Sequence, residues 1–342
     1  MLLTWKNRLT QLLNIVARLT HRYPGAVALF GFCSGVASFF LVERQARLAK
    51  VVALVMLISW LWLTLENILR RFLLSRFGWQ LPTALLRYAT QVIHQESLFF
   101  VIPFFTVTTT WNSGQAIFSG LLGCAALVSV IDPLYYKWLA ERRWLYLAFH
   151  ALTLFAVLLT ILPIVFHLST PQSYRLALGT ALILALPSFS GLFANWGWRR
   201  LLAIVGLVAL TATAGWLGRT WVPPATLRLN QISVTMHLDN HGRAPADSID
   251  RLTVKQLKAN GLYAYTAISA PRGLKERIYH EWLYEGRQID RIALDIKGGR
   301  EAGYRAWSYK RNFPENPAGK WHVRVTTEAG QLIGILRFEV TR

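Results

Sequence analysis

Apolar residues run in long blocks through the first two thirds of the chain and switch to alternation in the last third. The blocks at Gly25 to Val42, Val51 to Leu69, Gln95 to about Thr110, Ala116 to Ile131, Trp144 to His167, Leu176 to Phe193 and Leu201 to Leu217 have the length that a helix needs to cross a bilayer. They predict an all-α polytopic membrane bundle of about seven spans over residues 23–219. Ahead of it, residues 1–22 set Leu9, Leu12, Leu13, Val16 and Leu19 at helical spacing against Lys6, Arg8, Arg18 and Arg22, which predicts a short amphipathic anchor. Met1 to Arg22 is too polar for the apolar stretch of a cleaved signal peptide, so the first block is expected to be retained as a span.

The stretch Gln95 to Asp132 organises this region. Between Glu96 and Asp132 nothing is charged, and Trp111-Asn112-Ser113-Gly114 is the turn chemistry available, so the pattern predicts a helical hairpin with both carboxylates at one end. Arg70, Arg71, Arg76 and Arg87 forbid a simple span before it, and Pro82 suits the first turn of a helix that enters near Glu96. Tyr135 to Arg143 reads as a basic, aromatic loop.

After Val222-Pro223-Pro224 the period changes to two. Ile232, Val234, Met236 and Leu238 alternate with polar residues, as do Ile292, Leu294 and Ile296, then Trp321, Val323 and Val325. Glu328-Ala329-Gly330-Gln331 is a hairpin turn into Leu332, Gly334, Leu336, Phe338 and Val340. About seven strands in this stretch predict an all-β sandwich of immunoglobulin-like type over residues 220–342, without a disulfide.

Charge sharpens this division. The chain carries a formal +20 with a mean hydropathy of +0.33. Residues 1–219 hold 18 Lys/Arg against 5 Asp/Glu, and residues 220–342 hold 19 against 12. In the first part the cations lie between apolar blocks, where they set topology and meet anionic lipid headgroups of the bilayer; no nucleic-acid motif is present and no nucleic-acid partner is expected. With the N-terminus in the cytoplasm, thirteen Lys/Arg fall on the cytoplasmic side and five (Arg44, Arg47, Lys50, Arg175, Arg219) on the other. An odd number of spans then places the β domain outside the cytoplasm. Three of those five cluster between the first two blocks, which keeps open a re-entrant pair there or a different span count. Cys33 and Cys124 each sit within an apolar block and form no disulfide framework.

Candidate chemistry is sparse. Glu66, Glu96 and Asp132 are the acids nearest the blocks; Glu66 has Arg70 at i,i+4, and Asp132 lies at a span end. Glu96, beside His94, Gln95 and Ser97 and followed by an apolar helix, is the leading candidate for a proton, ion or headgroup role, with Asp132, His94 and His150 as companions. No metal-binding spacing is present, and no metal or cofactor is expected. In the β domain, His280, Trp282 and Tyr284 share one strand face and Arg305, Trp307 and Tyr309 share another. Either row is core, or it binds a protein or glycan; Arg305-Trp307-Tyr309 joins rings to a cation, as a platform for a sugar or an anionic polymer does.

His280-Glu281-Trp282, Tyr304-Arg305-Ala306-Trp307-Ser308-Tyr309-Lys310 and Gly319-Lys320-Trp321-His322-Val323 with the closing hairpin resemble a bacterial domain family of unknown function. Gln95-Glu96, Phe99-Phe100, Pro103-Phe104 and Asp132-Pro133 resemble the multi-helix region that accompanies it in inner-membrane proteins. The resemblance implies a multi-pass inner-membrane protein with a C-terminal periplasmic β domain, and it implies no activity. Two functions fit: a non-catalytic envelope protein whose β domain binds a partner, and a membrane enzyme or transporter acting on lipid or a lipid-linked substrate through Glu96 and Asp132.

Overall fold

The computed structural model describes residues 83–192, 197–239 and 244–342, with Leu29, Cys33, Ser34, Ala37, Val51, Leu54, Ile58 and Ser75 before them. The expected anchor at 1–22 and the blocks at 25–42 and 51–69 lie outside this set, apart from those isolated positions. A helical N-terminal part is followed by a β-sheet region. The chain divides into two compact units: one comprises residues 1–103, 121–157 and 183–204, the other residues 104–120, 158–182 and 205–342.

Among the described residues, five long helices precede the strands: α1 (Thr83–Thr108), α2 (Gln115–Val130), α3 (Arg143–Phe166), α4 (Thr170–Leu192) and α5 (Gly197–Leu217). α1 starts directly after Pro82, as the sequence predicts, and contains Pro103. The α1–α2 turn forms at Trp111 to Gly114: Ser113 Oγ donates to Thr110 O at 2.6 Å, and Gln115 Oε1 accepts from the Thr110 amide at 3.0 Å. Among the described residues, α3 and α5 are long and apolar enough to cross a membrane, from Trp144 to Phe166 and from Gly197 to Trp221. A third span is reached only if α2 is joined to the segment Pro133–Leu139, bent from it by 99°. The described residues thus carry two or three candidate spans, not seven. α1 falls short because its first half places Gln91, His94, Gln95 and Glu96 in the helix.

The predicted Tyr135 to Arg143 loop is instead largely helical. Pro133–Leu139 winds as a π-helix, with Ala140 N bonding Tyr135 O at 2.9 Å, an i to i+5 closure. Pro133 suits its opening because a proline amide has no hydrogen to leave unpaired at a first turn.

Eight strands follow: β1 (Arg228–Thr235), β2 (Arg251–Thr253), β3 (Leu262–Ser269), β4 (Lys275–Tyr284), β5 (Arg287–Lys297), β6 (Tyr304–Lys310), β7 (Gly319–Thr327) and β8 (Leu332–Thr341). They form a three-stranded sheet, β1-β3-β6, and a five-stranded sheet, β2-β8-β7-β4-β5. An immunoglobulin-like sandwich is not confirmed: β2 pairs parallel to β8, and a short helix, α6 (Val254–Asn260), lies between β2 and β3. α6 opens on a capping box in which Thr253 and Gln256 satisfy each other's backbone amides.

One apolar core is drawn from both sheets. Trp321, Val323, Val325, Leu336, Phe338 and Val340 all point into it, as their alternation predicts. Trp282 and Trp321 are fully buried and meet Phe338 at centroid distances of 6.2 and 5.9 Å. Ile232 departs from its predicted inward face and is 41% exposed, beyond a register shift between Leu229 and Gln231. Polar side chains tie the sheets. His280 on β4 bonds Thr266 Oγ1 and Ser308 Oγ at 3.2 and 2.9 Å, and Lys310 on β6 pairs with Asp290 on β5.

Within the second unit the β domain is seated on helix ends. Gln115 Nε2 donates to Leu332 O at 2.7 Å, Arg219 Nε to Ala329 O at 2.9 Å, and Gln331 Nε2 to Val222 O at 2.9 Å. At the start of α4, the Thr170 amide and hydroxyl both donate to Glu276 Oε2, at 2.7 and 3.0 Å. The other carboxylate oxygen, Glu276 Oε1, is buried without a hydrogen-bond partner among the described residues.

These two buried groups predict opposite pH responses. Burial raises the Glu276 carboxyl to about 7, the Thr170 bonds offsetting it in part. Burial lowers His280 to about 3. For Glu276 the folded state holds the proton more tightly than the unfolded chain, so its contribution is present at acid pH and is lost as pH rises from about 4.5 to about 7, a difference of about 3 kcal/mol. For His280 the unfolded chain binds the proton first, so stability falls as pH drops from 6.5 toward about 3. Denaturant unfolding of the purified protein, read by tryptophan fluorescence, is expected to show both limbs. Glu276→Gln flattens the alkaline limb, and His280→Asn flattens the acid limb while lowering stability overall.

Candidate functional site

The helical part holds a buried polar cluster in its first unit. Gln91, His94 and Gln95 lie one turn apart on α1 and face the same way, so a single helical stripe delivers three polar side chains among Leu98, Phe100 and Val101. Gln91 Nε2 donates to Asp132 Oδ1 at 2.8 Å and to Ser129 O at 3.0 Å, while its Oε1 accepts from the Tyr136 hydroxyl at 2.5 Å. His94 is fully buried: Nδ1 meets the Tyr135 hydroxyl at 2.8 Å and Nε2 meets His150 Nδ1 at 3.0 Å. Gln95 Nε2 donates to Ser129 O at 2.7 Å, and its Oε1 is buried with no partner among the described residues.

The expected group of His94, Glu96 and Asp132 is therefore only partly assembled. Asp132 joins through Gln91, whereas half-buried Glu96 accepts from Ser34 Oγ at 3.2 Å. No cluster of three or more His, Cys, Asp or Glu that would hold a metal occurs among the described residues. Tyr135, Tyr136 and Ser129 were not singled out from sequence; the polar stripe Gln91, His94, Gln95 within an apolar run was the signal available. A chain of two imidazoles and a phenol can pass a proton by switching tautomers, or it can simply satisfy buried polar groups.

The β domain offers a second site. On β6, Ala306, Ser308 and Lys310 are buried, and Arg305, Trp307 and Tyr309 take the opposite face, with Arg305 and Tyr309 exposed. Cross-strand register sets Ala267, Tyr265 and Tyr263 opposite them. Tyr263 and Tyr309 lie 4.5 Å apart between ring centroids, and the Tyr309 hydroxyl donates to Asn260 O at 2.9 Å. Tyr265, beside Trp307 on the same face, is fully buried, its hydroxyl held above the usual phenol range by burial, with Arg305 opposing. A depression of about 300 Å³ opens beside this row, lined by Arg300, Ala302, Gly303, Tyr304, Arg305 and Trp307.

His280 and Trp282 stand elsewhere. Both are fully buried in the core, where Trp282 Nε1 donates to Ser308 Oγ at 3.2 Å, so they bridge the sheets and share no surface with Arg305, Trp307 and Tyr309. Tyr263 and Tyr265 were missed from sequence, although Leu262-Tyr263-Ala264-Tyr265 carries its rings at period two.

Gln91→Leu removes both hydrogen bonds donated to Asp132 and Ser129 and the acceptor of the Tyr136 hydroxyl's 2.5 Å bond. It is expected to cost about 1–3 kcal/mol, read as a lower unfolding temperature in detergent, whereas Lys137→Gln at an exposed position is expected to cost little.

No curated protein and no solved structure matches the chain. Residues 275–340 match the model of a protein of unknown function, DUF2914. Residues 3–264 match the model of the family of unknown function DUF5924, and the chain belongs to that family.

Proposed function

We propose that the protein is a non-catalytic integral protein of a bacterial inner membrane whose β domain, on the periplasmic side, binds a protein or glycan partner. The observation that carries this reading is the outward row Arg305, Trp307 and Tyr309, backed by Tyr263 and bordered by an open depression. Aromatic rings beside cations and left facing solvent are a common composition for recognition surfaces.

The bilayer half of the reading has its own support. α5 is apolar, and the most hydropathic window of its candidate span has no residue buried. Leu201, Leu202, Val205, Leu210 and Leu217 are each more than half exposed, a surface that water disfavours and lipid accepts. Arg219 stacks on Trp216 at 4.7 Å and Arg175 lies 5.8 Å from the same ring, the mixture that gathers at a membrane interface. In this reading the blocks at 25–42 and 51–69 add two spans to the two or three candidates among the described residues, and the cation count puts the N-terminus in the cytoplasm.

Crosslinking pull-down from envelope fractions with the full-length protein tests it. Trp307→Ala is expected to lose the partner at an unchanged protein level, and a reporter fused after Arg342 is expected to be active only in the periplasm. A reporter active only in the cytosol overturns the topology, and an unchanged capture by Trp307→Ala overturns the binding face.

A second reading, a membrane enzyme or transporter acting on lipid or a lipid-linked substrate, draws on the buried cluster around His94 and the unpartnered Gln95 oxygen. Glu96→Gln and Asp132→Asn separate the two in a complementation assay. Both variants are expected to retain function; loss at normal protein level selects the second reading.

A further inference from the structure

The depression beside Trp307 lies at a defined end of its sheet. β6 runs antiparallel to β3, and Tyr304 and Arg305 pair with Ile268 and Ala267, close to the end of β3 at Ser269 and the β3–β4 turn. That turn packs on the helices of the same unit. A Cβ added at Gly273 would meet the His167 ring at 3.1 Å, and Glu276, three residues further on, receives both Thr170 hydrogen bonds. The segment before Arg300 is pinned to the same turn, with Gly299 N bonding Ala270 O at 3.0 Å and Gly298 N bonding Leu274 O at 2.8 Å. Arg300, Tyr304 and Arg305 therefore stand at the helix-facing end of the sheet, and Tyr309 and Tyr263 at the far end.

Two features define what this end accepts. Its lining carries two guanidinium groups and no carboxylate, so it attracts an anion, and the planar fork of a guanidinium can bind two oxygens of a phosphate. Arg300 already lies over the Tyr304 ring, 5.2 Å from its centroid, and half-buried Trp307 closes one wall. The volume, about 300 Å³, suits a headgroup-sized ligand rather than a polymer strand. Gly303, at φ +85°, makes the turn that sets Arg300 beside Arg305; a Cβ there would come within 3.0 Å of the Ala267 and Ile268 backbone.

We propose that Arg300, Tyr304, Arg305 and Trp307 form a site for the phosphate-bearing headgroup of an anionic lipid, presented to the β domain from the bilayer that holds its helices. This deepens the binding-module reading and rests on its claim that the helices cross a membrane, but not on which side the domain faces. A soluble acidic glycan is the competing occupant.

The test uses the purified full-length protein in neutral detergent with short-chain phosphatidylglycerol as the probe. Short-chain phosphatidylcholine, inorganic phosphate and polygalacturonate are run beside it, and bound ligand is counted by native mass spectrometry and thermal shift. Phosphatidylglycerol is expected to bind at least tenfold more tightly than phosphatidylcholine, with added salt weakening it. Arg300→Gln/Arg305→Gln, at two exposed positions, is expected to abolish that preference with an unchanged near-ultraviolet circular dichroism spectrum. Equal retention of the two lipids, an unchanged preference in the double variant, or equally tight binding of free phosphate or polygalacturonate overturns the assignment. Failure here with pull-down capture still dependent on Trp307 sinks the lipid site alone. Loss of that dependence sinks the binding-module reading, whatever the lipid result.

Discussion

A β domain joined to membrane-type helices keeps a fixed orientation only if its turns are bonded to helix ends. In the second unit that bonding is polar and mostly buried. Gln115 reaches Leu332 O, Gln331 reaches Val222 O, Arg219 reaches Ala329 O, and Thr170 holds Glu276. Each bond satisfies a group that would otherwise be stranded away from water, so breaking one exposes the desolvation cost of its partner. The β7–β8 hairpin supplies two of the acceptors and one of the donors. It is thus a fastening element as well as a part of the core.

The same accounting applies to the helical cluster. Gln91, His94 and Gln95 occupy positions where an apolar side chain would pack without penalty, and the chain instead surrounds them with Ser129, Asp132, Tyr135, Tyr136 and His150. One oxygen, on Gln95, has no partner among the described residues. A polar group kept in such a place restricts how neighbouring helices slide or rotate, because any shift breaks several bonds together. The π-helical turn at Pro133–Leu139 belongs to this arrangement, since it carries Tyr135 and Tyr136 to His94 and Gln91.

Sequence pattern exposed some of this and not the rest, for identifiable reasons. The change of period after Pro224 located the β domain, and alternation in β7 and β8 named the inward residues, because one buried face imposes a period of two. The Trp111 to Gly114 turn was legible from its chemistry. Periodicity did not reveal that Arg305, Trp307 and Tyr309 face outward while His280 and Trp282 face inward, since both rows alternate equally well and only the pairing with β3 and β7 decides. The parallel β2–β8 pair joins residues far apart in the chain and leaves no local trace. Apolar length alone overstated the span count among the described residues: α1 reads as a span from Gln95 onward, yet the helix continues back through Gln91 and His94.

The three-stranded sheet has a consequence for how such a chain can be divided. β1 and the first three residues of β3, Leu262 to Ala264, fall within the DUF5924 match, which ends at residue 264, while β6 falls within the DUF2914 match, which begins at residue 275. The seam between the two families therefore runs through a single folded body, between strands whose backbones are hydrogen-bonded to each other. A cut between the two matches divides the three-stranded sheet, leaving β1 on one side and β6 on the other, and uncovers the shared core.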